Sequence, residues 1–128
     1  MVPFFIGSYK MSNVLSMEIK DEIIIAKDFS DHVGARYKRE GPFSGELFLE
    51  TILLPKFEKA VQGGYVLFVD LDKGFGYPSS FVSGSFGKLS LEKGADLILK
   101  HIKLKSDDNP LRIDKIIDEI KDPTGVDL

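Results

Sequence analysis

The sequence predicts an α/β fold, with a small, mainly parallel or mixed sheet of four to five strands and about three helices. Residues 65–69 (YVLFV) form an unbroken apolar run rich in β-branched and aromatic side chains. Such a run is typical of a strand buried on both faces. Segments with strand-like and helix-like patterns alternate along the chain, and this order favours parallel pairing through right-handed crossovers.

The chain before this central strand contains two predicted strands and a long loop. Residues 15–26 (LSMEIKDEIIIA) are interpreted as a short hairpin that turns at Asp21-Glu22. Residues 28–42 are polar and show no periodicity, which indicates an irregular connection. Long irregular loops in compact domains are often functional, so this segment is a candidate part of the site.

A first helix is predicted from Ser44 onward. The Ser44 hydroxyl is suited to cap the first turn, and Glu46 places a negative charge at the positive end of the helix dipole. Pro55 removes one backbone hydrogen bond, so we expect a kink or break there and a last turn that ends at Ala60.

Two further helices and one strand are predicted after residue 79. Residues 80–92 form a helix whose glycines, Gly84 and Gly87, indicate close packing by another element. Residues 97–105 alternate in polarity and carry several lysines, which is typical of a strand near the edge of a sheet. The last helix ends before Pro123 and has an apolar stripe at helical spacing: Ile113, Ile116, Ile117 and Ile120.

Length and composition indicate one ordinary globular domain. The 128 residues are divided into a flexible extension (1–14), a single domain (15–122) and a tail (123–128). The sequence has no cysteine, and its formal net charge is −3, so a disulfide framework and a basic nucleic-acid surface are not expected. The N-terminus lacks the pattern of a signal peptide or a membrane span. We therefore expect a cytoplasmic protein without a membrane or nucleic-acid partner.

Polar residues follow the central strand, where ligands collect in α/β domains. Asp70 and Asp72 end the strand, and Tyr77, Ser79 and Ser80 follow it across a short loop. The two serines are either helix caps or phosphate acceptors that contact a partner. The two aspartates either bind loop amides or act as acid and base, and no metal site is predicted.

A second group of candidate residues lies around the start of the first helix. It comprises Arg36, Tyr37, Ser44, Gly45 and Glu46. Small residues at a helix start favour either anion binding or the close approach of another backbone. This group is therefore interpreted as an anion-binding or partner-binding segment, with structural capping as the alternative.

Five short motifs together resemble a known family. They are G-x-R-Y at 34–37, GPFSGE at 41–46, VDLD at 69–72, YPSSF at 77–81 and FG at 86–87. This set is similar to the STAS-like family of unknown function found in bacteria, phages and archaea. It is distantly similar to the STAS domains of anti-sigma-factor antagonists, although Pro78 and Phe81 stand where the STAS pattern has Asp and Gly.

The resemblance implies a STAS-like fold and a role in regulation. It places a phosphorylatable hydroxyl on Ser80, beside Ser79, and implies a histidine-kinase-like ATPase as the partner. The leading hypothesis is a non-enzymatic, protein-binding module without a cofactor. The alternatives are a domain that forms a homodimer through the Gly84/Gly87 helix, and a small enzyme or nucleotide- or anion-binding domain. The last of these would use a set of residues brought together in one pocket: Arg36, Ser44, Glu46, Asp70 and Ser80.

Overall fold

The computed structural model describes residues 17–124. Three strands, β1 (Ile19–Ile24), β2 (Val66–Asp70) and β3 (Ile102–Lys105), form one parallel sheet in the order β1-β2-β3. The α/β class and the parallel pairing are confirmed, but the prediction of four to five strands is wrong for this part of the chain. The predicted extension at 1–14 and the end of the predicted tail lie outside the described residues.

In the described part of the chain, five helices pack with the sheet in place of the three predicted. They are α1 (Ile25–Asp28), α2 (the consecutive segments Gly45–Phe48, Leu49–Leu53 and Leu54–Gly63), α3 (Ser79–Val82, Ser83–Gly87 and Lys88–Lys93), α4 (Ala95–His101) and α5 (Leu111–Lys121). A 3₁₀ turn, Lys38–Glu40, precedes α2. No helix in residues 17–124 is both long enough and apolar enough to cross a membrane.

A single strand stands where a hairpin was predicted. Asp21 and Glu22 lie inside β1, opposite Leu67 and Phe68 of β2, so they do not form a turn. The register of β1 against β2 shifts between Ile19 and Asp21, which marks a bulge or irregularity in the strand. The Asp21 carboxylate is also paired with Lys56 of α2 at 2.8 Å. The merger of two predicted strands into one explains the lower strand count.

The central strand β2 is covered on one face only. Leu67 and Val69 are completely buried in the core, whereas Phe68 between them is partly exposed. Phe68 lies opposite Glu22 of β1 and Lys103 of β3, and both of these side chains are exposed. Within residues 17–124 the prediction of burial on both faces is therefore wrong, because the helices described there pack on the Leu67 face.

Helix α2 continues past Pro55 instead of breaking there. A π-helical segment at 49–53 precedes the proline, and the Leu54 N–H donates to the carbonyl of Leu49, five residues back. This wider turn accommodates the proline, which has no N–H to donate. The helix ends at Gly64, whose left-handed φ of 68° provides the usual glycine termination.

The strand predicted at 97–105 begins only at residue 102. Residues 95–101 are helical, and the buried side chains of Ile98 and His101 are three residues apart on the inner side of α4. His101 Nδ1 lies 2.8 Å from the carbonyl of Tyr65. Because a carbonyl can only accept, Nδ1 carries the proton. Tertiary packing of these two side chains thus outweighs the local alternation of apolar and polar residues that predicted a strand.

Helix α3 runs through the centre of the helical layer, and residues 83–87 are all buried. Two glycines permit this. A Cβ at Gly45 of α2 would lie 2.3 Å from the carbonyl oxygen of Phe81, and one at Gly84 would lie 2.6 Å from that of Arg36. The backbones of the 35–46 segment and of α3 therefore approach more closely than side chains would allow.

Candidate functional site

Helix α3 carries five serines that fall into two groups. Ser83, Ser85 and Ser90 are buried, and their hydroxyls donate to backbone carbonyls. Ser79 is exposed and Ser80 is half-buried, and neither hydroxyl makes a hydrogen bond within residues 17–124. These two serines therefore have no structural partner among the described residues.

The capping role considered for Ser79 and Ser80 is not what the structure shows. The residue that precedes the first turn of α3 is Pro78, and no side chain caps this turn. Ser79 and Ser80 are themselves in the first turn. Phe81 points the other way and is completely buried against Phe48, with ring centroids 5.6 Å apart. The start of α3 thus buries its aromatic side and leaves two hydroxyls unbonded, one on the exposed Ser79 and one on the half-buried Ser80.

Asp72 has a clear structural role just after β2. Its Oδ1 accepts from the backbone N–H groups of Asp107 (2.8 Å) and Asp108 (3.0 Å), and its Oδ2 lies 2.8 Å from Nζ of Lys105. The hydrogen bond from Lys105, with those from the two amides, holds the pKa of Asp72 well below its usual range. Asp72 therefore ties the loop after β2 to the turn after β3.

Asp70 belongs to the same network. Its Oδ1 accepts from the N–H of Asp72 at 2.9 Å, and its Oδ2 is 3.8 Å from Nζ of Lys105. Both carboxylates line a cavity of about 680 Å³ at the carboxyl ends of the strands, together with Lys27 and Lys73. Within residues 17–124, no three His, Asp or Glu side chains are arranged to hold a metal ion.

Tyr77 braces the loop between β2 and α3 from inside. Its buried hydroxyl donates to the carbonyl of Leu71 at 2.8 Å, and the guanidinium of Arg112 lies over its ring, 5.3 Å from the centroid. Burial raises the pKa of Tyr77 to about 12. The side chain is therefore a fixed support for the loop and is not itself offered to a partner.

Ser44 and Gly45 serve the local structure of α2. The completely buried Ser44 Oγ accepts from the N–H of Leu47 at 3.1 Å, which is the predicted cap. Gly45 is buried against the backbone of α3. Of the two possibilities left open for small residues here, the geometry shows the close approach of another backbone.

Arg36, Tyr37 and Glu46 remain accessible beside this contact. They line a cavity of about 230 Å³, next to Gly84 of α3. Arg36 Nε donates to the Ser83 hydroxyl at 3.4 Å, so the segment touches α3 one turn after Ser79. Glu46 accepts from the Lys38 N–H at 2.9 Å, which orders the connection into α2.

The candidate residues are distributed over separate cavities. Arg36 and Glu46 line one, Asp70 lines a second, and Ser79 lines a third of about 540 Å³ against α5. Ser44 is buried under α3, and the Ser80 hydroxyl is not hydrogen-bonded to any described acid or base. The alternative of a small enzyme or anion-binding pocket requires convergence, and these positions in residues 17–124 do not provide it.

The family model described as a STAS-like domain of unknown function (DUF4325) matches residues 44–112, which is just over half of the 128 residues. The chain belongs to this family. No curated protein and no solved structure matches it.

Membership confirms the resemblance drawn from the motifs. The matched range begins at the cap Ser44 and extends through β2, α3 and β3 into the start of α5. It contains both carboxylates and both unbonded serines of this STAS-like domain, whereas Arg36 and Tyr37 precede it.

Sequence reasoning missed two exposed apolar side chains that share a groove with Val82 of α3. Phe75 lies in the loop after β2, and Leu111 begins α5. Phe75 stands between Gly74 and Gly76, and a large aromatic residue in a glycine-rich loop is a signal that could have indicated exposure.

Proposed function

We propose that this STAS-like domain is a non-enzymatic regulatory module that binds a partner protein through the start of α3 and the neighbouring 36–46 segment. Binding is switched by phosphorylation of Ser80, with Ser79 as the second acceptor. The observation that carries the proposal is the division of the α3 serines into three that are buried and hydrogen-bonded and two, the exposed Ser79 and the half-buried Ser80, whose hydroxyls are unbonded within residues 17–124.

Phosphorylation at this place would change the charge of a docking surface. A phosphate carries about −1.5 to −2 charges at neutral pH and three strong acceptor oxygens. The cavity beside Ser79 is lined by three carboxylates of α5 and its C-terminal turn, Asp118, Glu119 and Asp122, and by Lys115 and Lys121. A phosphate added at its edge makes this surface more acidic and repels a partner whose contact residues are acidic.

The proposed partner is a histidine-kinase-like ATPase that acts as a serine kinase. In the transfer step the serine oxygen attacks the γ-phosphorus of ATP and the bond to the β-phosphate oxygen breaks. ADP leaves, and the hydroxyl proton passes to a base of the kinase. Since the kinase supplies ATP and the base, this chain needs to present only an accessible hydroxyl. The exposed Ser79 and the half-buried Ser80, with their unbonded hydroxyls, support that requirement.

The test is a pull-down of the chain from its native lysate with phosphosite mapping by mass spectrometry. We expect an ATPase to co-purify and phosphate to be found on Ser80 or Ser79. Ser80→Asp should weaken binding to that ATPase at least tenfold, about 1.4 kcal/mol. Ser80→Asn, which has the same shape without the charge, is the matched control and should bind nearly as the wild type does. A Ser80→Asp chain with unchanged affinity, or a lysate that yields no ATPase, would refute the switch.

A further inference from the structure

Two large apolar side chains stand out from the surface of the described chain on either side of one groove. Phe75 is 73% exposed and Leu111 is 69% exposed. The groove between them has a volume of about 350 Å³ and is also lined by Tyr77, Val82 and Ile116. Adjacent exposed apolar residues with an apolar floor are typical of protein-binding sites.

The loop that displays Phe75 is held in place. The Phe75 N–H donates to the carbonyl of Asp31 at 2.9 Å, and its ring stacks on His32 with centroids 4.0 Å apart. Arg112 donates to the carbonyl of Gly74 at 3.1 Å. Because the loop is already ordered, it loses little conformational entropy when a ligand covers Phe75.

The same loop contains a strained residue. Lys73 has a φ of 69°, a left-handed conformation that disfavours residues with a Cβ. Its N–H donates to the Asp108 carboxylate at 3.0 Å, which holds this conformation. Backbone strain that is maintained by surrounding contacts is found preferentially at ligand-binding segments.

The charges around the groove favour an acidic ligand. Its charged lining residues, Arg112 and Lys115, are both basic. Arg112 already has partners within the chain. Its Nη1 lies 3.4 Å from Oδ1 of Asp108 and donates to the carbonyl of Leu71 at 3.3 Å. The exposed Lys115 has no ion-pair partner within residues 17–124. A carboxylate brought by a ligand therefore has an available counter-charge at the rim.

From these observations we infer that the groove between Phe75 and Leu111 binds an acidic segment of a partner protein. The segment inserts one large apolar side chain into the groove and places a carboxylate beside Lys115. The inference rests on the proposed function and names the partner chemistry. Val82 and Lys115 also line the cavity beside Ser79, so the groove borders the cavity that contains the second proposed acceptor.

Selection of random peptides displayed on phage against the full chain tests the groove directly. We expect the enriched peptides to combine a large apolar residue with neighbouring Asp or Glu. Leu111→Ser and Lys115→Glu should each weaken binding of a synthetic copy of the enriched peptide at least tenfold. Both positions are exposed, so both variants should fold. Leu99→Ser, at a 38%-exposed leucine of α4, is the matched control and should leave binding unchanged.

Three outcomes overturn the inference. They are a failure to enrich any peptide, enrichment of peptides that lack carboxylates, and binding that survives Leu111→Ser. Sedimentation of the unliganded chain adds a fourth. If the wild type is a dimer and Leu111→Ser is a monomer, a second copy of this chain occupies the groove.

The same variants separate this inference from the proposed function. Suppose that Ser80→Asp weakens binding to the co-purified ATPase while Leu111→Ser and Phe75→Ser do not. The switch then stands, and the groove is not the docking site. If Ser80→Asp has no effect while the groove variants weaken binding at least tenfold, the docking site stands without the switch.

Discussion

At the scale of single residues, Tyr77 shows how burial sets a measurable pKa. Its pKa is raised to about 12, above the value near 10 of an exposed phenol, because the hydroxyl is buried. The folded state therefore favours the neutral phenol. This contribution to stability is fully present below pH 10 and is lost as the pH rises through 12. We expect one tyrosine to ionise only near pH 12 in an absorbance titration of the phenolate.

The variant Tyr77→Phe assigns this titration and tests the hydrogen bond. It should remove the late-ionising phenol and lower the free energy of unfolding at neutral pH by about 1 kcal/mol, since the bond to Leu71 is lost. Tyr65→Phe is the matched control, because the Tyr65 hydroxyl makes no hydrogen bond within residues 17–124. A titration of Tyr77→Phe identical to that of the wild type would show that another tyrosine is the buried one.

At the scale of elements, the glycines of α3 differ in what they contact. A Cβ at Gly84 would lie 2.6 Å from the backbone carbonyl of Arg36, which cannot move without its whole segment. A Cβ at Gly87 would meet the carboxylate end of Glu119, also at 2.6 Å, and that side chain can shift with Thr124 near the C-terminus, to which it is hydrogen-bonded. We therefore expect Gly84→Ala to lower the free energy of unfolding by about 1–3 kcal/mol.

Gly87→Ala should leave the free energy of unfolding nearly unchanged, because the gain of about 1 kcal/mol in helix propensity offsets the displacement of Glu119. Gly34→Ala is the control, since nothing lies within 4 Å of its Cβ position. Denaturant midpoints of the variants provide the comparison, and equal losses for Gly84→Ala and Gly87→Ala would contradict it. Both glycines of α3 are packed within the chain, so a homodimer, which remains a prediction, would have to use other residues.

At the scale of the whole molecule, the sequence predicted what depends on local pattern. The α/β class, the parallel pairing and the extent of α5 follow from apolar periodicity, and the family follows from motif spacing. The predictions were wrong where contacts between residues far apart in the sequence determine the secondary structure. Residues predicted to form a hairpin form one strand because they pair with β2. Residues 97–101, predicted as part of a strand, are helical because His101 is buried.

The candidate site was predictable to a similar degree. Sequence indicated Ser79 and Ser80 because their spacing from Asp70 matches a family pattern, but it could not show that their hydroxyls are unbonded. The groove beside them was not predictable, because Phe75 and Leu111 are 36 positions apart and meet only in the folded chain. Exposure and convergence are properties of the tertiary structure.

The link between the ends of β2 and β3 through Asp72 should make the stability of the fold sensitive to acid. Because the folded state lowers the pKa of Asp72, its contribution to stability is present above the usual value of 3.8 and is lost as the pH falls below it. Asp72→Ala should cost about 2–3 kcal/mol at pH 7, and the cost should shrink in denaturant titrations at increasingly acid pH. Asp107→Ala is the control: its side chain is 83% exposed and also pairs with Lys105, so it should cost no more than about 1 kcal/mol. A constant difference between wild type and Asp72→Ala at every pH would mean that shape alone, without the charge, joins the two strands.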